Sequence, residues 1–203
     1  MRVITRLNLP PILMTARLVL REVAPSDISS ELLHWLNDVN VTKFLEIRHV
    51  PQTPERVLKY VQDRLSNPES PHFGIYDASG TRLVGTVTVN SLNIVHKTAD
   101  ISFVVGHPAA AGRGYASEAV HAVCAYLFMV RGLHKITGGH YSGNIGSLRV
   151  FENNGFICEG RRREQCVTTA GERMDVILHG LLQSEFVQNP QYLGGEINVV
   201  ETE

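Results

Sequence analysis

In residues 106–129, G-H-P-A-A-A-G-R-G-Y-A-S-E-A-V-H-A-V-C-A-Y-L-F-M, two glycines bracket Arg113 just before apolar residues at helical spacing: Ala116, Ala119, Val120, Val123, Cys124 and Leu127. An alternating apolar run ends at Val105, so the spacing predicts a strand that runs through a glycine loop into a helix. Such a loop aims several backbone N–H groups and the positive end of the helix dipole at one point, and its natural guest is a phosphate or pyrophosphate. Glycine lets the backbone approach that guest where a Cβ would hold it off. The loop alone does not say which anion. A P-loop needs Lys-Ser or Lys-Thr after the second glycine, where Tyr115 and Ala116 stand. A Rossmann fingerprint opens its fold, whereas about half of this chain has already passed. A plain tight turn from strand to helix is the competing reading.

The elements that must position this loop follow from the rest of the pattern. Residues 1–14 read as an irregular leader, and 17–23 alternate as a strand. Ala24-Pro25-Ser26-Asp27 is a helix-start signal ahead of Ile28, Leu32, Leu33, Trp35 and Leu36, and Thr53-Pro54-Glu55 opens a second helix. Between them, residues 37–52 are mixed and carry Phe44, Glu46, Arg48 and His49, a composition suited to binding. Strands are predicted over 73–77 and 83–89 around a Ser79-Gly80 turn, then over 99–105 after a polar connection at 91–98. Beyond the glycine-loop helix come a strand (134–141), a short helix (144–154) closed by Gly155, and strands over 156–161 and 174–182. The sum is an α+β fold, a mixed, mostly antiparallel sheet of about seven strands with helices on both faces. Residues 187–203 read as a polar tail.

Composition narrows the class. At 203 residues, with 43% hydrophobic and 19% charged residues, the chain fits one globular core. A formal net charge of −1 argues against a nucleic-acid binder that relies on bulk positive charge. The three cysteines, Cys124, Cys158 and Cys166, lack C-x-x-C spacing, and the nine histidines show no H-x-x-x-H pair. No metal site or disulfide framework is expected, and a reducing cytoplasm is. The amino terminus is interrupted by Arg6 and Pro10-Pro11, so neither a signal peptide nor a membrane span is read there.

Two motifs carry a resemblance. G-R-G-Y-A-S-E-A opening a helix, followed roughly thirty residues later by N-I-G-S-L-R-V-F-E-N-N-G-F, resembles the paired acetyl-CoA-binding motifs of the GNAT superfamily of N-acetyltransferases. T-A-R-L-V-L-R-E-V near the start, with G-F-I-C-E-G-R-R-R-E and D-V-I-L-H-G-L-L near the end, is similar to the RimJ/RimL-like branch. The likeness covers about residues 15–185 and implies an acetyltransferase domain over 15–186. It implies acetyl-CoA as co-substrate, with pyrophosphate on the backbone of Gly112, Arg113, Gly114, Tyr115 and Ala116 and with Ala111 also in the cofactor site. Ala111 stands where the family usually has Gln or Arg, so one side-chain contact is lost. The pantetheine arm would pair with Phe103, Val104 and Val105 as an added strand, with Asn144 and Ser147 beside it.

The resemblance also assigns chemistry. Many relatives carry a Tyr at the position of Phe151 that protonates the leaving thiolate; Phe cannot, so Ser147 becomes the candidate. Asp100, where relatives often have a Glu, is the first candidate base, and Glu46 the second. The acceptor would be a protein N-terminal α-amine or a small-molecule amine such as an amino sugar or polyamine, acetylated by a monomer or homodimer. The alternative is a non-catalytic acyl-CoA-binding or sensing module on the same scaffold. Bland readings stand beside these: Asn144 and Gly155 as helix caps, Ser147 as an inert helix residue, Asp100 as a surface or ion-paired strand residue, His179 as packing, and Arg161-Arg162-Arg163 as a solvated strand face.

Overall fold

The computed structural model describes residues 11–67, 69–187 and 198–200. Its strands are β1 (Ile12–Met14), β2 (Leu18–Glu22), β3 (His72–Asp77), β4 (Leu83–Asn93), β5 (Thr98–Val105), β6 (Lys135–Tyr141), β7 (Ile157–Val167), β8 (Arg173–Leu182) and β9 (Asn198–Val200). The helices are α1 (Ser30–Leu36), α2 (Val39–Thr42), α3 (Pro54–Leu65), α4 (Tyr115–Ala125) and α5 (Ile145–Asn153). All strands join one sheet in the order β7-β8-β6-β5-β4-β3-β2-β1-β9. Among the described residues only β5 and β6 run parallel, and every other pairing is antiparallel.

The α+β class and the mixed, mostly antiparallel sheet are as expected, but the described residues hold nine strands rather than about seven. The two extra ones lie in the predicted leader and tail: Ile12–Met14 pairs with β2 on one side and with Asn198–Val200 on the other. Three-residue strands show too little alternation to be seen locally, and they form because an existing edge offers unpaired backbone groups. The rest of the leader (1–10) and of the tail (188–197, 201–203) lies outside the described residues. The first helix also starts later than expected. Pro25–Asp27 is a separate 3₁₀ turn, and Ser29, not a residue of the Ala24–Asp27 signal, caps α1 by accepting from Leu32 N at 3.1 Å. The polar connection after β4 is shorter than predicted, since β4 continues to Asn93.

Strand alternation sorts β5 between two cores. Ala99 and Ile101 are buried against α4, with Phe103 and Val105 packing on the same cluster. Val104 faces the other way, onto the smaller cluster of Leu32, Trp35 and Val57 from α1 and α3. Helices therefore cover both faces, as amphipathic strands require. Gly106 at the end of β5 is obligatory, because a Cβ there would lie 2.0 Å from Cε3 of Trp35.

The feature that makes a site is a split in the sheet. β5 and β6 pair only from Thr98↔Lys135 to Ile101↔Gly138. Beyond that point β5 stays paired with β4 as far as Val105, and β6 with β8 as far as Tyr141. The backbone edges of residues 102–105 and 139–141 diverge, leaving a strand-shaped opening in an otherwise continuous sheet. At its inner end the Phe151 ring of α5 reaches both walls, 5.4 Å from Phe103 and 6.1 Å from His140, centroid to centroid. Gly138 makes room for it, since a Cβ there would lie 2.7 Å from the Phe151 ring.

Candidate active site

The glycine loop sits at the end of β5, at the mouth of the split. Pro108–Ala110 makes a 3₁₀ turn capped by His107, whose Nδ1 accepts from Ala109 N at 3.0 Å and whose Nε2 meets Glu31 Oε1 at 2.7 Å. Gly112 and Gly114 then take φ of 69° and 76°, the left-handed region that glycine enters without a Cβ penalty. These turns leave the N–H groups of Gly112, Gly114, Tyr115, Ala116 and Ser117 without an acceptor among the described residues. Ala111 to Gly114 are exposed. A fan of free donors at the start of an eleven-residue helix has the geometry and the dipole suited to an anion.

The split opens into a cleft of about 1070 Å³. Asp100, Phe103, Val104, Asn144 and Ser147 line it together, and so does Glu46 from the other side. Val105 closes the strand between this cleft and the loop, partly buried. Arg113 and Tyr115 face a second, smaller concavity of about 430 Å³ on the far side of the loop, so those side chains do not share the Asp100 cleft.

Asn144 caps α5, its Oδ1 accepting from Ser147 N at 3.1 Å, and Gly155 follows the helix with φ 78°. The cap and the cleft position coexist: the bond that starts the helix also holds Ser147 at the opening. Asp100 accepts from Thr137 Oγ1 at 3.0 Å across the parallel pair. Burial pushes its carboxyl above the ordinary aspartate range, against the lowering pull of the Thr137 hydrogen bond and the Arg162 charge. A half-buried carboxylate with raised basicity at the root of a split is suited to take a proton.

Glu46 belongs to a 3₁₀ turn, Glu46–His49, and its side chain is exposed. It accepts from the Tyr141 hydroxyl and lies 3.7 Å from Arg48 Nη1. Arg48 is the anchor of this segment: 2% exposed, it donates to Leu45 O at 2.7 Å, Tyr141 Oη at 3.0 Å and Val167 O at 2.6 Å. Residues 37–52 are thereby tied to the ends of β6 and β7, which makes them a wall of the cleft.

Sequence reasoning missed His140. Its Nδ1 lies 2.8 Å from Tyr141 O and its Nε2 3.1 Å from Nε2 of His179. A carbonyl accepts only, so Nδ1 of His140 carries the proton, its Nε2 is an acceptor, and His179 donates from Nε2. His179 Nδ1 is then a buried lone pair without a hydrogen-bond partner among the described residues. Burial lowers the basicity of both rings, so the pair is neutral. His179 stacks on Phe151 at 4.9 Å and 8°, and this neutral stack floors the split where a tyrosine hydroxyl is absent. A strand alternation placing His140 on the face of Ile136 and Gly138 was the available signal; a contact to position 179 was not. Of the arginine run, Arg161 pairs with Asp175, and Arg162 bears on Asp100.

Residues 17–157 match the family model described as an acetyltransferase (GNAT) domain. The chain is 40% identical over 111 residues to the Bacillus subtilis (strain 168) protein named "Probable N-acetyltransferase YjcK"; that stretch is 54% of this chain and 60%, less than two thirds, of YjcK. Two solved structures share the fold. One is spermidine N-acetyltransferase from Vibrio cholerae in complex with CoA and spermine, with TM-score 0.73, 23% identity, and 83% of this chain and 96% of that one covered. The other is RimL, a ribosomal L7/L12 alpha-N-protein acetyltransferase in complex with coenzyme A, with TM-score 0.75, 18% identity, and 84% and 97% covered. With the match running through β5, the glycine loop and α5, the chain belongs to the GNAT acetyltransferase family.

Proposed function

We propose that this chain acetylates a primary amine held in the cleft beside Asp100, with the cofactor's pyrophosphate on the glycine loop and its pantetheine arm in the split between β5 and β6. The observation that carries this reading is the coincidence at one sheet end of two unmet backbone demands: the free N–H fan of Gly112 and residues 114–117 and the unpaired strand edge of residues 102–105. One suits a diphosphate, and the other an extended amide-bearing chain.

Acetyl-CoA supplies an activated thioester, so the protein has to hold an amine against it, take a proton and accommodate the thiolate. Asp100 takes the proton in this reading, directly or through water, and Glu46 is the second candidate. Ser147 faces the departing sulfur. A thiolate leaves at a reference pKa of about 8.5, so proton donation contributes modestly. Ser147→Ala is accordingly expected to lower kcat about tenfold while the acceptor KM moves less than twofold. Turnover at the wild-type level would make Ser147 a packing residue.

The acceptor is a protein N-terminal α-amine or a small-molecule amine, and the cleft favours one with a single amine and an apolar body. Of its three acids, Glu46, Asp63 and Asp100, Asp63 is already paired with Lys59, Arg56 adds a second cation, and Trp35, Phe44, Ile47 and Leu178 supply apolar wall. A polyamine of the kind named for the Vibrio cholerae enzyme needs an acidic trough with few cations. The α-amine acceptor named for RimL fits better and agrees with the RimJ/RimL-like motifs. The domain extends over residues 15–186 in this reading and works in the cytoplasm as a monomer or homodimer. Among the described residues no helix is long and apolar enough to cross a membrane, and the three cysteines stand free.

The test is acetyl-CoA binding by calorimetry, followed by free-thiol release with a panel of peptides, amino sugars and polyamines. Binding with release for peptides bearing apolar first residues is expected. Release with polyamines alone would overturn the acceptor reading, and absence of acetyl-CoA binding would overturn the site.

A further inference from the structure

The connection between β1 and β2, Thr15-Ala16-Arg17, reaches the first turn of α4 across about a hundred residues. Glu118 of α4 is fully buried, a costly place for a carboxylate unless its oxygens are met. They are: Oε1 accepts from Thr15 Oγ1 at 2.6 Å and from Arg17 N at 3.1 Å, and Oε2 meets Arg17 Nε at 2.7 Å and Nη2 at 2.6 Å. The guanidinium has one more use. Its Nη1 donates to the carbonyl oxygen of Arg113 at 3.0 Å, inside the loop between the two left-handed glycines. Its plane also lies 5.0 Å from the Tyr115 ring centroid.

We infer that Arg17 is a positioning residue for acetyl-CoA, acting through the peptide unit that joins Arg113 to Gly114. In a trans peptide the carbonyl and the next N–H point in opposite directions. Arg17 captures the Arg113 carbonyl on one side of the loop, so the Gly114 N–H is turned to the other, toward the free donors of Tyr115 and Ala116. Without the clamp, glycines on both sides leave this peptide free to rotate, and the donor fan would have to be ordered at the moment of binding. Glu118 holds the guanidinium in the plane that reaches Arg113. Arginine is required because a planar fork serves two acceptors at once, whereas a lysine ammonium reaches Glu118 as a point charge.

This inference rests on the pyrophosphate reading of the loop, and the experiment separates the two. Arg17→Lys keeps the charge and loses the second arm of the fork. It is expected to raise the acetyl-CoA Kd and KM about tenfold, with kcat at saturating acetyl-CoA and the acceptor KM within twofold of wild type. Thr15→Val removes a bond to Glu118 without touching the Arg113 carbonyl. It is expected to lower the melting temperature and leave the acetyl-CoA KM unchanged.

The double variant Arg17→Met/Glu118→Met removes the buried charge together with its partner and protects against a fold lost to an orphaned carboxylate. It should raise the acetyl-CoA KM as Arg17→Lys does. A wild-type acetyl-CoA KM in the double variant, or equal KM changes in Arg17→Lys and Thr15→Val, would overturn the clamp. If Gly114→Asp, measured alongside, also leaves acetyl-CoA affinity unchanged, the loop assignment has failed and not the clamp alone.

Discussion

Gly114→Asp is expected to weaken acetyl-CoA binding by at least a hundredfold in calorimetry while the protein stays folded. The backbone at this position has φ 76°, which Asp and Asn tolerate better than other residues with a Cβ. The nearest atom to a new Cβ is Arg17 Nη2 at 3.7 Å, so there is space. What changes is charge. A carboxylate at this position adds negative charge to the loop whose free N–H groups are proposed to receive the pyrophosphate. Like charges 4 Å apart cost about 4 kcal/mol at an effective dielectric near 20. A hundredfold loss of affinity needs only about 2.8 kcal/mol, so the prediction holds even if Arg17 partly offsets the new charge. Gly114→Ala supplies the comparison: it carries only the left-handed strain, roughly 1–2 kcal/mol, some of it relieved in the loop, and should cost about tenfold or less. Equal affinity for wild type and the Asp variant would remove the anion seat.

Asp100→Asn is expected to lower kcat/KM by about a hundredfold at the acid end of the working range, the scale of a lost general base. The loss should shrink as pH rises. The sign follows from the raised pKa. Asp100 acts only when ionised, so the wild-type rate falls as pH drops through a value above the reference aspartate pKa of about 3.9. The Asn variant lacks that limb and depends on amine already neutral in solution. Its rate therefore climbs with pH toward the acceptor's own pKa, about 8 for an α-amine and about 10.4 for a lysine. The gap between the two proteins is widest just above the Asp100 titration and narrows toward the amine pKa. Asn is nearly isosteric and its Oδ1 can still accept from Thr137, so the local geometry survives. A loss of the same factor at every pH would assign Asp100 to positioning, and the same profile for Glu46→Gln would move the base to the other wall.

Local signals were legible in proportion to how local their physics is. Gly112 and Gly114 could be placed on a tight strand-to-helix loop because only glycine enters that backbone region freely. Asn144 could be placed at a helix start because a side-chain cap acts within three residues. Asp100, Phe103 and Val104 were placed along one strand by alternation, and all three line the cleft. The same logic fails at β1 and β9, where three residues form a strand only because another edge is waiting. It fails too for His140 and His179, thirty-nine residues apart, whose contact depends on β6 and β8 being neighbours.

The order of the chain by itself thus determined the glycine loop, the helix that starts behind it and the strand that leads in, since each depends on backbone preferences a few residues long. Only the tertiary structure decided that β5 and β6 part after Ile101 and Gly138, that Glu46 swings in beside Tyr141, and that Arg17 reaches Arg113. Those outcomes depend on which edges find each other, and pairing between distant segments is set by the burial of the whole sheet between its helices, a quantity that no short stretch contains.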